Sequence, residues 1–246
     1  MEAARTGAEH ALHLQKEAAV PDKSIAVLPF TNLSLDLEDE YFSEGLTEEL
    51  IGALAKVNGL HVTARTSAFA FKGVNRDIRD LGKLLNVKTV LEGSVRREQN
   101  RIRVSAQLIN VEDGYHLWSE SYDYELKSVL ALQETISRAI VGALQIQLSS
   151  QVDAQFKAKV AVNPEAYDLY LKGRYYWARL STGGFRQSIE AFQKAIAIDP
   201  DYAPSHAGLA NAYSFAGYFG IMPPREAFPL SNMEAKAALA LDSQSA

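Results

Sequence analysis

The chain has 246 residues, 47% hydrophobic and 22% charged with a formal net charge of -5, the make-up of a globular protein with a sizeable core. Basic and acidic residues number 18 and 22 up to Val160 and 7 and 8 beyond it, so neither part has the basic excess of a nucleic-acid binder. The lack of cysteine excludes a disulfide framework, a thiolate nucleophile and cysteine-ligated zinc, and no apolar run reaches the length of a membrane span.

Residues 1–22 are rich in Ala, Glu, Lys and His without an apolar stripe, and read as a tail or linker; His10 and His13 have helical metal-binding spacing but no carboxylate cluster beside them. Residues 24–30 form a short apolar run closed by Pro29, as in a buried strand. Over residues 36–57, Phe42, Leu46, Leu50, Leu54 and Val57 recur at helical spacing, and Gly59 stands where the helix stops. The other side of this helix carries seven carboxylates between Asp36 and Glu49 and no base, which reads as a solvated face rather than a calcium loop. A second strand is expected at 60–64, then a polar and aromatic connection, then a helix over 76–85 with Asn75 as its cap and Asn86 at its end.

Residues 90–97 and 101–109 are two strands joined by a tight turn at Gln99-Asn100. Counting back from the turn pairs Val95 with Val104, Gly93 with Ala106 and Leu91 with Leu108 on an apolar face. Arg96 with Arg103, Ser94 with Ser105 and Glu92 with Gln107 then share a polar face, and a one-residue slip would mix the two sets. Asp113-Gly114 turns the chain into a further aromatic strand, 115–122, and Val129, Leu132, Ile136, Ile140, Leu144 and Leu148 mark a long helix over 128–150. The order predicts a compact α/β domain over residues 23–152, with helices covering one face of a mixed sheet.

Past a polar stretch at 151–163 the pattern becomes all-helical. Residues 165–179 and 185–198 form a helical hairpin, and 203–218 open another, closed after an extended loop at 217–224 by a helix at 233–241. Ser188, Phe192, Ala195 and Pro200, with Leu209, Ala210 and Tyr213, fall where tetratricopeptide repeats place their small and aromatic residues, so residues 163–246 read as two such repeats in an all-α array. In the first, the turn at 180–184 is longer than the motif; in the second, Ser243 replaces the expected proline.

The strings at 24–30 (SIAVLPF), 40–50 (EYFSEGLTEEL), 91–97 (LEGSVRR), 106–108 (AQL) and 116–120 (HLWSE) resemble the TolB amino-terminal-like domain. The resemblance covers about residues 24–150. It implies a non-catalytic sensing or interaction module of bacterial multidomain proteins, set ahead of tetratricopeptide repeats and often behind a cyclase, kinase or winged-helix output domain. Such relatives are often joined through a membrane helix, which would place these parts outside the inner membrane; as written, this chain reads as cytoplasmic.

No phosphate loop or nucleophile elbow is present, and His61, His116 and His206 lie in separate elements, so no catalytic residue, cofactor or metal ligand is assigned. Like charges opposed on a sheet are mildly destabilising unless an acidic partner relieves them. Arg96, Arg101 and Arg103 are therefore candidate docking residues, for Glu44, Glu48 and Glu49 of this or another copy, against the simpler reading of a solvated outer face. Tyr167, Tyr170, Tyr175 and Trp177 are candidates for a peptide groove, or else pack at a domain interface. The resulting expectation is a scaffold or sensor with a protein partner and capacity for self-association; the alternative is a small-molecule pocket where the α/β and repeat parts meet.

Overall fold

A computed structural model describes residues 20–36, 39–99, 101–125, 129–146 and 163–243. Most of the predicted tail (1–19), residues 147–150 and most of the polar stretch (151–162) lie outside the described residues, as do His10 and His13; the helix expected over 128–150 ends at Ala143, where the chain turns through a left-handed Gln145 with φ 51°.

Strand β1 (Ser24–Val27) is buried at every position, as a central strand covered on both faces must be. It lies between β3 (His61–Val62) and β4 (Thr89–Glu98), parallel to both, and β2 (Thr31–Asn32) continues beside the far half of β4 after Pro29 interrupts the pairing. Strands β5 (Arg101–Asn110) and β6 (His116–Glu125) complete a mixed sheet of order β3-β1-β4-β5-β6. The hairpin register is the one counted from the turn, including Val95 with Val104, Leu91 with Leu108 and Arg96 with Arg103. A register shift at Leu108/Ile109 puts Trp118 opposite Leu108 and His116 opposite Ile109, and β6 extends to Glu125.

Helix α1 (Glu40–Ala55) lays Phe42, Leu46, Leu50 and Leu54 on the inner sheet face, all fully buried. Leu91, Val95, Ile102, Val104 and Leu108 meet it there, and helix α4 (Val129–Ala143) adds Leu132, Ile136 and Ile140 to the same core.

Two expectations change. The connection after β3 contains a short helix, α2 (Arg65–Phe69). The helices also cover both faces near β1: α3 (Ile78–Leu85) packs Leu81 against Ala26, Leu28, Val90 and Val111 in a second core. The reason is in the strands, since β1 and the start of β4 carry apolar residues at both parities and leave no face for water. The cap of α3 is Asp77, whose carboxylate accepts from Arg79 N at 2.9 Å, and not Asn75. At its end Asn86 is left-handed, with φ 53°, as its position suggested.

The helical array contains α5 (Pro164–Ala178), α6 (Thr182–Ile198), α7 (Ala203–Tyr218) and α8 (Pro224–Leu241). Asn163 caps α5 through Glu165 N and Ala166 N, and Ser181 caps α6 through Gly184 N, so α6 begins three residues earlier than Phe185 and the turn before it is short. Helix α8 likewise begins well before Met233, because Pro224 suits a first helical turn; Pro229 then sits inside the helix without a backbone donor. Phe192 of α6 locks the first hairpin to the second: a Cβ on Gly173 would lie 2.6 Å from its ring, and one on Gly208 2.5 Å. The apolar core runs unbroken from Phe42 and Leu46 through Tyr167, Tyr170 and Leu171 to Phe192, Leu209 and Tyr213.

Candidate functional site at the junction of sheet and helical array

The junction forms where α1 crosses α5. Gly45 lets the two helices approach, since a Cβ there would stand 2.8 Å from Leu171 Cδ2, and Leu171 is fully buried. On either side of that contact lies a polar cluster.

In the first cluster Arg174 of α5 reaches Glu48 and Glu49 of α1, at 2.5 Å each. Glu48 also takes Arg65 of α2 at 2.5 Å, while Glu49 accepts from Tyr170 Oη at 3.2 Å and from Gln133 Nε2 at 3.3 Å. Farther along, Lys72 bonds Glu40 at 2.5 Å and Glu44 at 2.6 Å. Burial disfavours the Arg174 cation, yet Tyr170, Glu49 and Glu48 outweigh it and raise its pKa. Burial, reinforced by Glu49, likewise raises the Tyr170 phenol. The acidic side of α1 is therefore not a solvated face: Glu48 and Glu49 are 7% and 8% exposed and are held by bases from distant segments.

In the second cluster Arg97, at the end of β4, donates to Tyr41 Oη at 2.6 Å and to Asp168 Oδ1 at 2.9 Å. Tyr41 also donates to Asp168 at 2.7 Å. Asp39 lies 3.5 Å from Arg97, and Lys172 is 3.6 Å from Asp168 and 4.8 Å over the Tyr41 ring. Burial raises the Asp39 carboxyl above its usual range, with Arg97 opposing, and burial with the Asp168 charge raises the Tyr41 phenol. Beside this cluster opens a cleft of about 1120 Å³, lined among others by Arg97, Arg101, Lys172, Tyr175 and Arg179. Arg179 lies over the Tyr175 ring at 4.3 Å and donates to its hydroxyl.

The structure separates the residues singled out from the sequence. Arg103 bonds Asp123 of β6 at 2.8 and 2.9 Å on the exposed outer face, and so is not docked on the acids of α1. Those acids belong to Arg65, Lys72 and Arg174. Arg96 lies on the same outer face as Arg103, while Arg101, at the start of β5, borders the junction cleft. The four aromatics do not share one groove. Tyr167 and Tyr170 are buried at the junction, packed edge-on to Tyr202; Tyr175 borders the cleft; Trp177 meets Phe215 of α7 at 5.6 Å.

Sequence reasoning passed over Arg97, although it has the parity of Leu91 and Val95 and so had to point inward. Arg174 and Asp168 have only Tyr170 and Lys172 as neighbours at helical spacing, and the partners that make them junction residues are far off in sequence: Glu48, Glu49 and Tyr41 by more than 120 residues, and Arg97 by 71 on β4. His206, between Glu234 at 2.6 Å and Pro200 O at 3.0 Å, ties α7 to α8, whereas His61 and His116 are exposed at strand starts. Among the described residues no helix is long and apolar enough to cross a membrane.

Comparison with known proteins finds similarity over parts of the chain. Residues 21–139 match the family described as the HilA/YgeH-like transcriptional regulator, second domain. The chain is 43% identical over 187 residues to a protein of Rhizobium meliloti (strain 1021) named "Putative adenylate cyclase 3", covering 76% of this chain but only 32% of that protein. Solved structures that match part of the chain include TolB from Acinetobacter baumannii, with TM-score 0.39, 21% identity and coverage of 52% of this chain and 30% of that one. Another is the LpoB C-terminal domain from Salmonella enterica, with TM-score 0.34, 16% identity and coverage of 47% and 91%.

Proposed function

We propose that the chain is a non-catalytic interaction scaffold or sensor of a bacterial signalling assembly, in which a TolB amino-terminal-like domain (residues 23–152, after a tail at 1–22) carries two tetratricopeptide-like repeats (163–246). The observation that carries this reading is the junction: Arg174 between Glu48 and Glu49, and Arg97 between Tyr41 and Asp168, hold the first array helix in one orientation against the sheet. A fixed orientation is what a scaffold needs to present a partner to an output unit. The sequence relatives support it, since similar segments occur in proteins named for two different activities, transcriptional regulation and adenylate cyclase, which favours a shared regulatory role over a shared chemistry.

The 1120 Å³ cleft favours a second reading, a small-molecule sensor at the same junction, because Arg97 and Arg101 of the hairpin face Lys172 and Tyr175 of the array across it. One experiment separates the two. The full chain is screened by thermal shift against a metabolite panel and, in parallel, crosslinked as bait in bacterial lysate. The scaffold reading expects reproducible protein crosslinks and no saturable metabolite shift. Saturable stabilisation by a metabolite, lost on Arg101→Ala, transfers the function to the sensor.

A further inference from the structure

On the sheet face away from the junction, hydroxyl side chains gather where three strands run side by side. Period two puts Ser94 of β4, Ser105 of β5 and Ser121 of β6 in one row, and Glu92, Gln107 and Ser119 in the next. Helices α1 and α4 pack on the opposite face, and α3 covers this one only near β1. On the other side of the serine row stand the longer Arg96, Arg103 and Asp123. Short side chains beside long ones sink the surface, and Phe71 and Val74 of the loop after α2 wall it, leaving a cavity of about 400 Å³.

The polar groups of this cavity are only partly engaged. Ser105 shares one hydrogen bond with Ser121, at 2.8 Å. Glu92 accepts from Gln107 Nε2 at 2.7 Å through one carboxylate oxygen, which leaves its second oxygen and the Gln107 carbonyl as acceptors. Among the described residues no hydrogen bond engages the hydroxyls of Ser94 and Ser119. Glu92 is the one charged side chain of the lining, since Lys72 of the same loop is drawn to Glu40 and Glu44 and Arg103 to Asp123.

We propose that this cavity binds an uncharged polyhydroxylated ligand of monosaccharide size. A sugar hydroxyl donates and accepts at once, and serine hydroxyls beside a carboxylate–amide pair answer both roles from neighbouring positions. The C–H face of the ring needs an apolar wall, which Phe71, Val74 and Pro29 supply. A phosphate or carboxylate finds no cation in the lining and is repelled by Glu92. The volume stands near the lower end for small-molecule sites, which suits a single ring. The site shares no lining residue with the junction cleft, so it goes beyond the scaffold and sensor readings and is tested apart from them.

The full chain is titrated with the methyl glycosides of glucose, galactose, mannose and N-acetylglucosamine and followed by saturation-transfer NMR, with glucosamine and glucuronic acid as charged arms. At least one neutral glycoside is expected to saturate with a Kd of about 1 mM, in keeping with a few hydrogen bonds on an open site. Ligand at a tenth of that concentration leaves the melting temperature unmoved, so a thermal-shift screen run there reads the junction alone. Ser119→Leu fills the trough from an exposed position on the edge strand and is expected to abolish binding with the melting curve retained. Glu92→Gln weakens binding about tenfold by removing the charged acceptor, and Arg101→Ala leaves it unchanged. The corresponding disaccharides separate two sources of the same chemistry: binding that survives the second ring assigns the end of a glycan, and binding that does not assigns a free sugar. Absence of saturable binding by every neutral glycoside, tighter binding of glucosamine or glucuronic acid, or binding indifferent to Ser119→Leu overturns the proposal. So does binding lost on Arg101→Ala, which moves the ligand to the junction cleft.

Discussion

Arg174 enters the junction between Glu48 and Glu49, whose side chains are 6% and 10% exposed, whereas Arg103 meets Asp123 on the outer sheet face with 59% and 48% exposure. Both make two short bonds to carboxylate oxygens, so bond geometry does not distinguish them. Solvent does. At the junction the acids have been taken out of water and depend on their bases, while on the outer face water solvates either partner if the other is removed. The junction is therefore where the molecule commits free energy to holding its two parts together.

The largest test of that contrast is Arg174→Ala, which leaves Glu49 buried without its principal cation. The expected loss is about 3 kcal/mol in urea unfolding, at the low end for a broken buried pair because Arg65 still reaches Glu48. Adding Glu49→Gln should recover part of it, since the stranded charge is then gone. Equal loss in the single and double variants would mean that the packing of the Arg174 stem, not its charge, holds α5. Next comes Gly45→Val, which drives side-chain atoms into Leu171 and is expected to cost about 2 kcal/mol. Combined with Leu171→Ala it should cost less than the sum of the two single changes, because one relieves the crowding made by the other. Strict additivity in the double-mutant cycle would show that α1 and α5 do not meet at this point. Smaller again is Tyr41→Phe, which removes the hydroxyl between Arg97 and Asp168 but leaves their 2.9 Å bond, for a loss of about 1 kcal/mol.

What the sequence made legible followed from periodicity. Period two set the β4–β5 register and both of its faces, and period 3.6 placed Phe42 and Leu46 toward the sheet. The same arithmetic put Arg97 on the inner face, but a charged residue there has meaning only once Tyr41 and Asp168 are known to stand opposite. The acids of α1 are the sharper case. Seven carboxylates without a local base describe a solvated helix equally well, and only the tertiary approach of Arg65, Lys72 and Arg174 turns four of them, Glu40, Glu44, Glu48 and Glu49, into a junction. Gly45 was hidden for a related reason: within a helix, glycine reads as a weak position until Leu171 is seen against it.

The outer face supplies the smallest effect and the control for the rest. The Arg103 guanidinium holds the Asp123 carboxyl below its usual pKa through their hydrogen bonds. A depressed carboxylate adds stability that is present above its unfolded pKa, about 3.9, and is lost as the pH falls through its lower folded value. Any contribution of this pair should therefore vanish only in strong acid, and salt should screen it at neutral pH. Arg103→Glu is expected to leave the neutral-pH melting temperature unchanged within error at 0.15 M salt, because both side chains are exposed and because the relief of the opposition to Arg96 is offset by a new like-charge opposition to Asp123. It has its effect, if the arginine face docks an acidic partner, on association at low salt alone. Unchanged association there would leave Arg103 as one member of a solvated ladder, whereas a large drop in melting temperature would mean that the outer face is covered in solution and that the contrast with Arg174 does not hold.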